Sequence, residues 1–124
     1  MNLVDSSGWL EYFAEGPNAG FFAPAIEKSG ELIVPTIVVF EVYKRVRQQR
    51  DRHAALDAVA TLRAGRIVDL TVTLAIAAAA IGSSEKLPMA DSIILATARA
   101  ENAVIWTQDA DFRRITGVKF RAKR

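Results

Sequence analysis

Four short apolar runs constrain this chain more than anything else in it: Asn2–Val4 (NLV), the ELIVP run closed by Pro35, Arg66–Leu70 (RIVDL) and Ala103–Thr107 (AVIWT). None alternates polar with apolar residues as a strand with one wet face does. Runs of this length and texture suit strands buried on both faces. Helical patterns separate them, and strands joined through helices pair in parallel. The expected fold class is therefore α/β, a three-layer α/β/α arrangement around a short, mostly parallel central sheet.

The helical patterns carry their own start and stop signals. Ser6 or Ser7 is placed to cap a helix with Trp9, Leu10 and Phe13 on one face, and Gly16–Pro17 ends it. Residues 19–29 form a second short pattern, closed by Gly30. Thr36 is expected to cap a longer helix reaching about Arg52, with Val38, Val39, Val42, Tyr43 and Val46 as its apolar set. His53–Ala64 continues helical and stops at Gly65. Thr71–Ile81 is an Ala-rich helix, buried by composition and closed by Gly82. A loop over 83–89 leads to a helix over Ala90–Asn102. A short helix is expected from Asp109, and VKF (118–120) as a fifth, edge strand. With no repeat, linker or low-complexity tract, residues 1–124 read as one domain of ordinary size.

Several classes fall away on composition. The absence of cysteine excludes disulfide frameworks and thiolate metal sites. MNLVDSSGWLEYF lacks the basic start of a signal peptide. The most apolar later run, TVTLAIAAAAIG, is about half the ~20 residues needed to cross a bilayer. A cytoplasmic protein without a membrane role is expected. A net charge of only +2 hides an uneven distribution, because residues 44–52 carry five of the 16 Lys and Arg and residues 113–124 carry six. The two segments hold one acid between them, Asp51. They suit a polyanionic partner, and each taken singly is equally consistent with a solvated helix face or a frayed tail.

The acids make the pattern specific. Asp5 directly follows the first strand, and Asp109 and Asp111 follow the fourth, so in a parallel sheet all three emerge at one edge, where such sheets bind ligands. Asp91 opens the helix after Pro88, and Glu41 interrupts the apolar run TIVVFEVY. Each has a plain structural role available. Asp5 can end a strand, Asp91 can serve a helix first turn, Asp109 can be a cap, and Glu41 can pair with Lys44 or Arg45 for about 0.3–0.5 kcal/mol. Carboxylates converging at one edge nevertheless repel unless a cation joins them. With one histidine, His53, in a charged segment, all-oxygen ligation by Mg²⁺ or Mn²⁺ fits better than zinc. Such acids beside basic segments point to metal-assisted phosphodiester hydrolysis.

NLVDSS, PTIVVFEVYKRV, LPMADSIILATA and VIWTQDADF, in this order over essentially the whole chain, resemble the four signature segments of PIN-domain ribonucleases. Within them the chain is most similar to VapC-type toxins of bacterial toxin–antitoxin pairs. The resemblance implies that Asp5, Glu41, Asp91 and Asp109 form an acidic quartet holding Mg²⁺ or Mn²⁺ for endonucleolytic RNA cleavage. It also implies a supporting or second-metal role for Asp111, and site-lining hydroxyls at Ser6 and Thr107. The partners it implies are an RNA substrate, with tRNA or another structured RNA among the candidates, a cognate VapB-type antitoxin lying across the site, and a second copy in a homodimer. Lys44, Arg45, Arg47, Arg50 and the C-terminal bases would hold the RNA backbone. Trp9 and Trp106 sit in apolar patterns and suit core packing better than base stacking. The rival readings are a catalytically silent PIN-like RNA- or protein-binding module, whose acids serve structure alone, and a response-receiver-like domain. The latter expects an acid pair at the first strand and a Lys ending a late one, and this chain has neither.

Overall fold

Parallel pairing decides the architecture, because parallel neighbours cannot be joined by a tight turn and every connection must cross a face of the sheet. The computed structural model describes residues 1–124. Its strands are β1 (Asn2–Val4), β2 (Leu32–Pro35), β3 (Arg66–Val68), β4 (Val104–Thr107) and β5 (Lys119–Phe120), all parallel in the order β3-β2-β1-β4-β5. Helices α1 (Ser6–Phe13) and α2 (Ala19–Glu27) link β1 to β2, α3 (Thr36–Gln49) and α4 (Arg52–Leu62) link β2 to β3, and α5 (Val72–Glu85) and α6 (Met89–Ala100) link β3 to β4. The expected three-layer α/β/α class is the one observed.

The texture of the strands follows from their position. Leu3, Val4, Ile33 and Val34 are fully enclosed in the middle of the sheet, where a polar residue would find no water. Trp9, Phe22 and Phe112 are the largest fully buried side chains of the layers around them. Helix α1 lies directly on β1. A Cβ on Gly8 would stand 2.6 Å from Cγ1 of Val4 and 2.7 Å from the Phe22 ring, so only glycine allows that approach.

Topology then creates a crevice. From β1 the chain turns towards β2 on one side, and from β4 it turns towards β5 on the other. The carboxyl ends of β1 and β4, adjacent in register through Val4 and Trp106, therefore flank a switch point from which the connections diverge.

Several local expectations change. Asp5, not Ser6 or Ser7, caps α1, its Oδ1 accepting the Gly8 N–H at 3.0 Å. Thr36 is the first residue of α3 rather than its cap, and its hydroxyl accepts the Leu70 N–H at 3.3 Å. Helix α3 stops at Gln49 because Asp51 caps α4, accepting the Ala54 N–H at 2.8 Å. The second pattern ends as helix at Glu27, followed by a 3-10 turn over Ser29–Glu31. Strand β3 stops at Val68, short of Leu70. The short helix expected from Asp109 is a 3-10 turn, Ala110–Phe112, with Asp109 as its cap.

The largest difference is α5, which continues through Gly82 to Glu85 and ends on Lys86 in the left-handed conformation (φ 55°). Gly82 is not a stop signal there. It admits the Ser92 hydroxyl of α6, which would lie 2.6 Å from a Cβ at that position. Nor is α5 a buried helix. Only Ala78 is enclosed, while Val72 and Ile76 are 77% and 68% exposed. Ala78 and Ile81 of α5 pack against Ile93 and Ala96 of α6, whereas Val72 and Ile76 point away from that seam. No helix is long and apolar enough to cross a membrane.

Candidate functional site

The crevice collects carboxylates from four places in the chain. Asp5 leaves the end of β1 and is enclosed. Three donors hold it: the Thr107 hydroxyl at 2.5 Å, the Ser7 hydroxyl at 2.7 Å and the Gly8 N–H at 3.0 Å. Thr107, the last residue of β4, also accepts the Asp109 N–H at 2.9 Å, so one buried hydroxyl joins the two strand ends. Asp109 follows and accepts the Asp111 N–H at 2.9 Å. Asp91 stands in the first turn of α6, and Glu41 on α3 accepts the Ser6 hydroxyl at 3.0 Å.

The charges in this group act on one another. Burial pushes the Asp5 carboxyl up to about 6 despite its three donors, and the charge of Asp109 adds to the rise. Burial raises Glu41 as well, opposed by the Ser6 hydrogen bond and reinforced by Asp109. Asp91 rises to about 7, first through burial and then through the charges and hydrogen bonding of Asp109 and Asp111, with Asp5 adding a smaller push. Asp109 thus reaches all three of the others. Asp91, Asp109 and Asp111 form the tightest group, each offering a carboxylate oxygen within 4.8 Å of the other two. That span is close to the ~4.2 Å separating opposite ligands of an ion bound at ~2.1 Å.

No side chain of the protein supplies the missing positive charge. The three ion pairs, His53–Asp57, Arg66–Glu101 and Arg99–Glu85, all lie elsewhere. Lys44 and Arg45, the alternative partners for Glu41, form no ion pair with it. The donor set is oxygen throughout, which fits a hard divalent cation and not zinc. His53 is an exposed residue four positions from Asp57 on α4.

Beside the acids opens a polar cleft of about 620 Å³, lined among others by Ser6, Glu41, Lys44, Arg45, Gln108 and Lys123. The basic candidates therefore separate. Lys44 and Arg45 face the cleft next to the acids, Arg47 lines a neighbouring groove with Tyr43 and Leu56, and Arg50 opens onto a third surface beside His53. Trp9 is enclosed and stacked on Phe13, ring centroids 5.7 Å apart. Trp106 donates its indole N–H to Asn2 at 2.9 Å, and its ring is faced by Lys119 at 4.4 Å, so neither tryptophan is free to stack on a base.

Sequence reasoning missed three contributors. Ser7, read only as a cap, is an Asp5 donor; its place two residues after an acid that ends a strand was a usable signal. Gln108 was passed over between Thr107 and Asp109. Asn18, in the turn-like stretch EGPNAG, gave no signal at all, because its partners lie about 90 and 104 residues away.

A PIN domain family profile matches residues 3–118. No curated protein sequence matches the chain significantly. Among solved structures, a toxin–antitoxin complex from Klebsiella pneumoniae contains a chain 24% identical, superposing with a TM-score of 0.81 over 95% of each chain. VapC20 of Mycobacterium tuberculosis, described as a sarcin–ricin loop cleaving toxin, is 19% identical with a TM-score of 0.78 over 98% of this chain and 99% of that one. FitAcB of Neisseria gonorrhoeae is 21% identical, with a TM-score of 0.73 over 97% and 96%. These likenesses show a shared fold.

Proposed function

The chain belongs to the PIN domain family, and on that premise we propose that residues 1–124 act as a cytoplasmic, metal-dependent endoribonuclease, the toxin of a toxin–antitoxin pair. The observation that carries the reading is the crevice: five carboxylates converge at the switch point with no protein cation among them. Such a group is costly unless a cation completes it. The similar folds of the Klebsiella complex and of VapC20 support the toxin assignment, a VapB-type antitoxin as partner and a structured RNA as substrate. A homodimer is the expected assembly.

In this reading Asp91, Asp109 and Asp111, with Asp5 and Glu41 beside them, hold Mg²⁺ or Mn²⁺. When bound, the cation supplies an acidified water as nucleophile and neutralises charge on the scissile phosphate. The protein's own groups do the rest. Thr107 and Ser7 orient Asp5, so that its lone pairs face one way without rearrangement. Ser6 does the same for Glu41. Asp91, whose affinity for a proton is raised by burial and by Asp109 and Asp111 in the ion-free site, gives up that proton when the cation takes its place. Lys44 and Arg45 meet the backbone phosphates leading to the crevice, while Arg47 and Arg50 serve longer substrates over adjoining surfaces.

The test is cleavage of a cellular RNA pool by the purified protein with MgCl₂, with MnCl₂ and with EDTA. Discrete fragments are expected only with the ion and only from the parent, not from Asp5→Asn. Equal cutting in EDTA, or by the folded variant, would sink the proposal. Growth arrest on expression, relieved by a co-encoded small protein, tests the toxin role separately.

A further inference from the structure

The basic tail is held in place at Arg121 and Ala122. The Arg121 N–H donates to the Thr107 carbonyl at 3.1 Å, tying the tail to the end of β4. The Ala122 carbonyl accepts from Nδ2 of Asn18 at 3.0 Å. The Arg121 guanidinium lies over the Phe21 ring, 4.9 Å from its centroid. Two consecutive residues are thus anchored on three different partners, and the next one, Lys123, lines the cleft that also holds Lys44 and Arg45.

Asn18 is central to this arrangement. It is 1% exposed, and the same Nδ2 that holds Ala122 also donates to Oε1 of Gln108 at 3.0 Å. Gln108 in turn reaches back to Ser7. The Asn18 N–H engages Glu11 at 2.8 Å, so that acid of the cleft wall is already occupied. The other acid of the wall, Glu41, accepts from Ser6. One buried amide therefore couples the tail to the loop between Thr107 and Asp109, and the cleft presents three bases against two carboxylates, Glu11 and Glu41, each of which already accepts a hydrogen bond from the protein.

We propose that Lys123, together with Lys44 and Arg45, forms a phosphate clamp for RNA flanking the scissile bond, and that Asn18 is the positioning residue that presents Lys123 to it. The clamp rests on the nuclease reading above. It adds that the bases of the binding cleft come from distant parts of the chain, Lys44 and Arg45 from α3 and Lys123 from the tail. Continuity favours RNA: the cleft shares Ser6 and Glu41 with the acidic crevice, so a backbone bound along the bases runs on to the acids. Anchoring the tail before binding lowers the ordering cost of the contact, which a free lysine would bear in full.

The experiment is fluorescence anisotropy with a labelled single-stranded RNA, using the Asp5→Asn protein so that cutting cannot intervene, across a salt series. Lys123→Ala should weaken binding about 3- to 10-fold and reduce the salt slope by about 0.7, the value for one phosphate contact on a single strand. Lys28→Ala, the same charge change at the far end of α2, should do neither, and Lys123→Arg should restore both. In the Asp5-intact protein, Lys123→Ala should raise KM and leave kcat within about twofold. Asn18→Ala should reproduce the loss of affinity in the parent but cost much less when Lys123 is already Ala. Equal effects of Lys123→Ala and Lys28→Ala overturn the clamp, as does tighter binding of poly-glutamate than of RNA of the same charge, which would assign the cleft to a protein partner. An equal cost of Asn18→Ala in both backgrounds overturns its positioning role. A parent that binds RNA through Lys123 but never cuts it would remove the nuclease reading and leave the clamp standing.

Discussion

Two parts of the same acidic crevice are built on opposite plans. Asp5 is enclosed and held, with a hydroxyl from β4, a hydroxyl from α1 and a backbone N–H all donating to it. Asp91, in the same crevice, meets other carboxyls instead, and Asp109 and Asp111 raise its affinity for a proton. The first part is a carboxyl whose orientation the protein has already fixed with donors, although burial still opposes its charge. The second is a charge group the protein has assembled without stabilising, which costs energy until something positive arrives. The contrast teaches that preorganisation and frustration can share one site. Asp5 gives a fixed point of reference, and the Asp91 group gives the driving force for binding a cation.

The sharpest way to break the comparison is Asp91→Asn. If the group exists to hold a cation, cleavage should drop by about 10³-fold or more, yet above pH ~7, where Asp91 is ionised, the ion-free protein should melt higher, because a repelling charge is gone. Lower stability together with full activity would reverse the assignment. Thr107→Val attacks the other half. It removes the hydroxyl between Asp5 and the Asp109 N–H at nearly constant volume, so activity should fall about 10- to 100-fold, as when a group orienting a ligand is lost. The pH at which cutting reaches half its maximum should move upward, since one of the donors lowering Asp5 is missing. An unmoved pH profile would mean that Asp5 does not titrate in the working range.

A third, smaller effect concerns stability. Folding raises Asp5 from 3.8 to about 6 and Asp91 from 3.8 to about 7, so the native state binds these protons more tightly than the unfolded one. Their contribution is complete below pH ~4 and is lost as pH rises through about 6 to 7, where both groups must ionise against burial and repulsion. In EDTA, Tm should therefore fall between pH 5 and pH 8 by about 5 °C or more. Saturating Mg²⁺ or Mn²⁺ should cancel most of that fall by binding only the folded state. A slope undiminished in Asp91→Asn, or one that the ion does not touch, would show that these carboxyls are not its source.

The legible and illegible parts of this chain divide on physical grounds. The runs NLV and AVIWT read as strands, and their spacing required helical crossovers, although β4 proves half-buried at Val104 and Trp106. Asp5 and Asp109 were legible because a strand end is a local event. Helix α5 was misjudged in length and in burial. Gly82 reads alike whether it stops a helix or admits a neighbour, and only the Ser92 hydroxyl of α6 distinguishes the two. Likewise Val72 and Ile76 look like core in a list of residues and prove exposed once α6 is seen to pack on Ala78 and Ile81 instead.

What the sequence determined by itself was the set of elements, their parallel pairing and the edge at which acids emerge, all of which follow from hydrophobic period and chain direction. What only the tertiary structure decided was which side chains meet. The strand order places β1 beside β4, and that adjacency alone lets Thr107 reach Asp5 across 102 positions and Asn18 hold Ala122 across 104. Periodicity is a property of neighbours along the chain, whereas a hydrogen bond between distant residues depends on how the crossovers close. No local pattern carries that information.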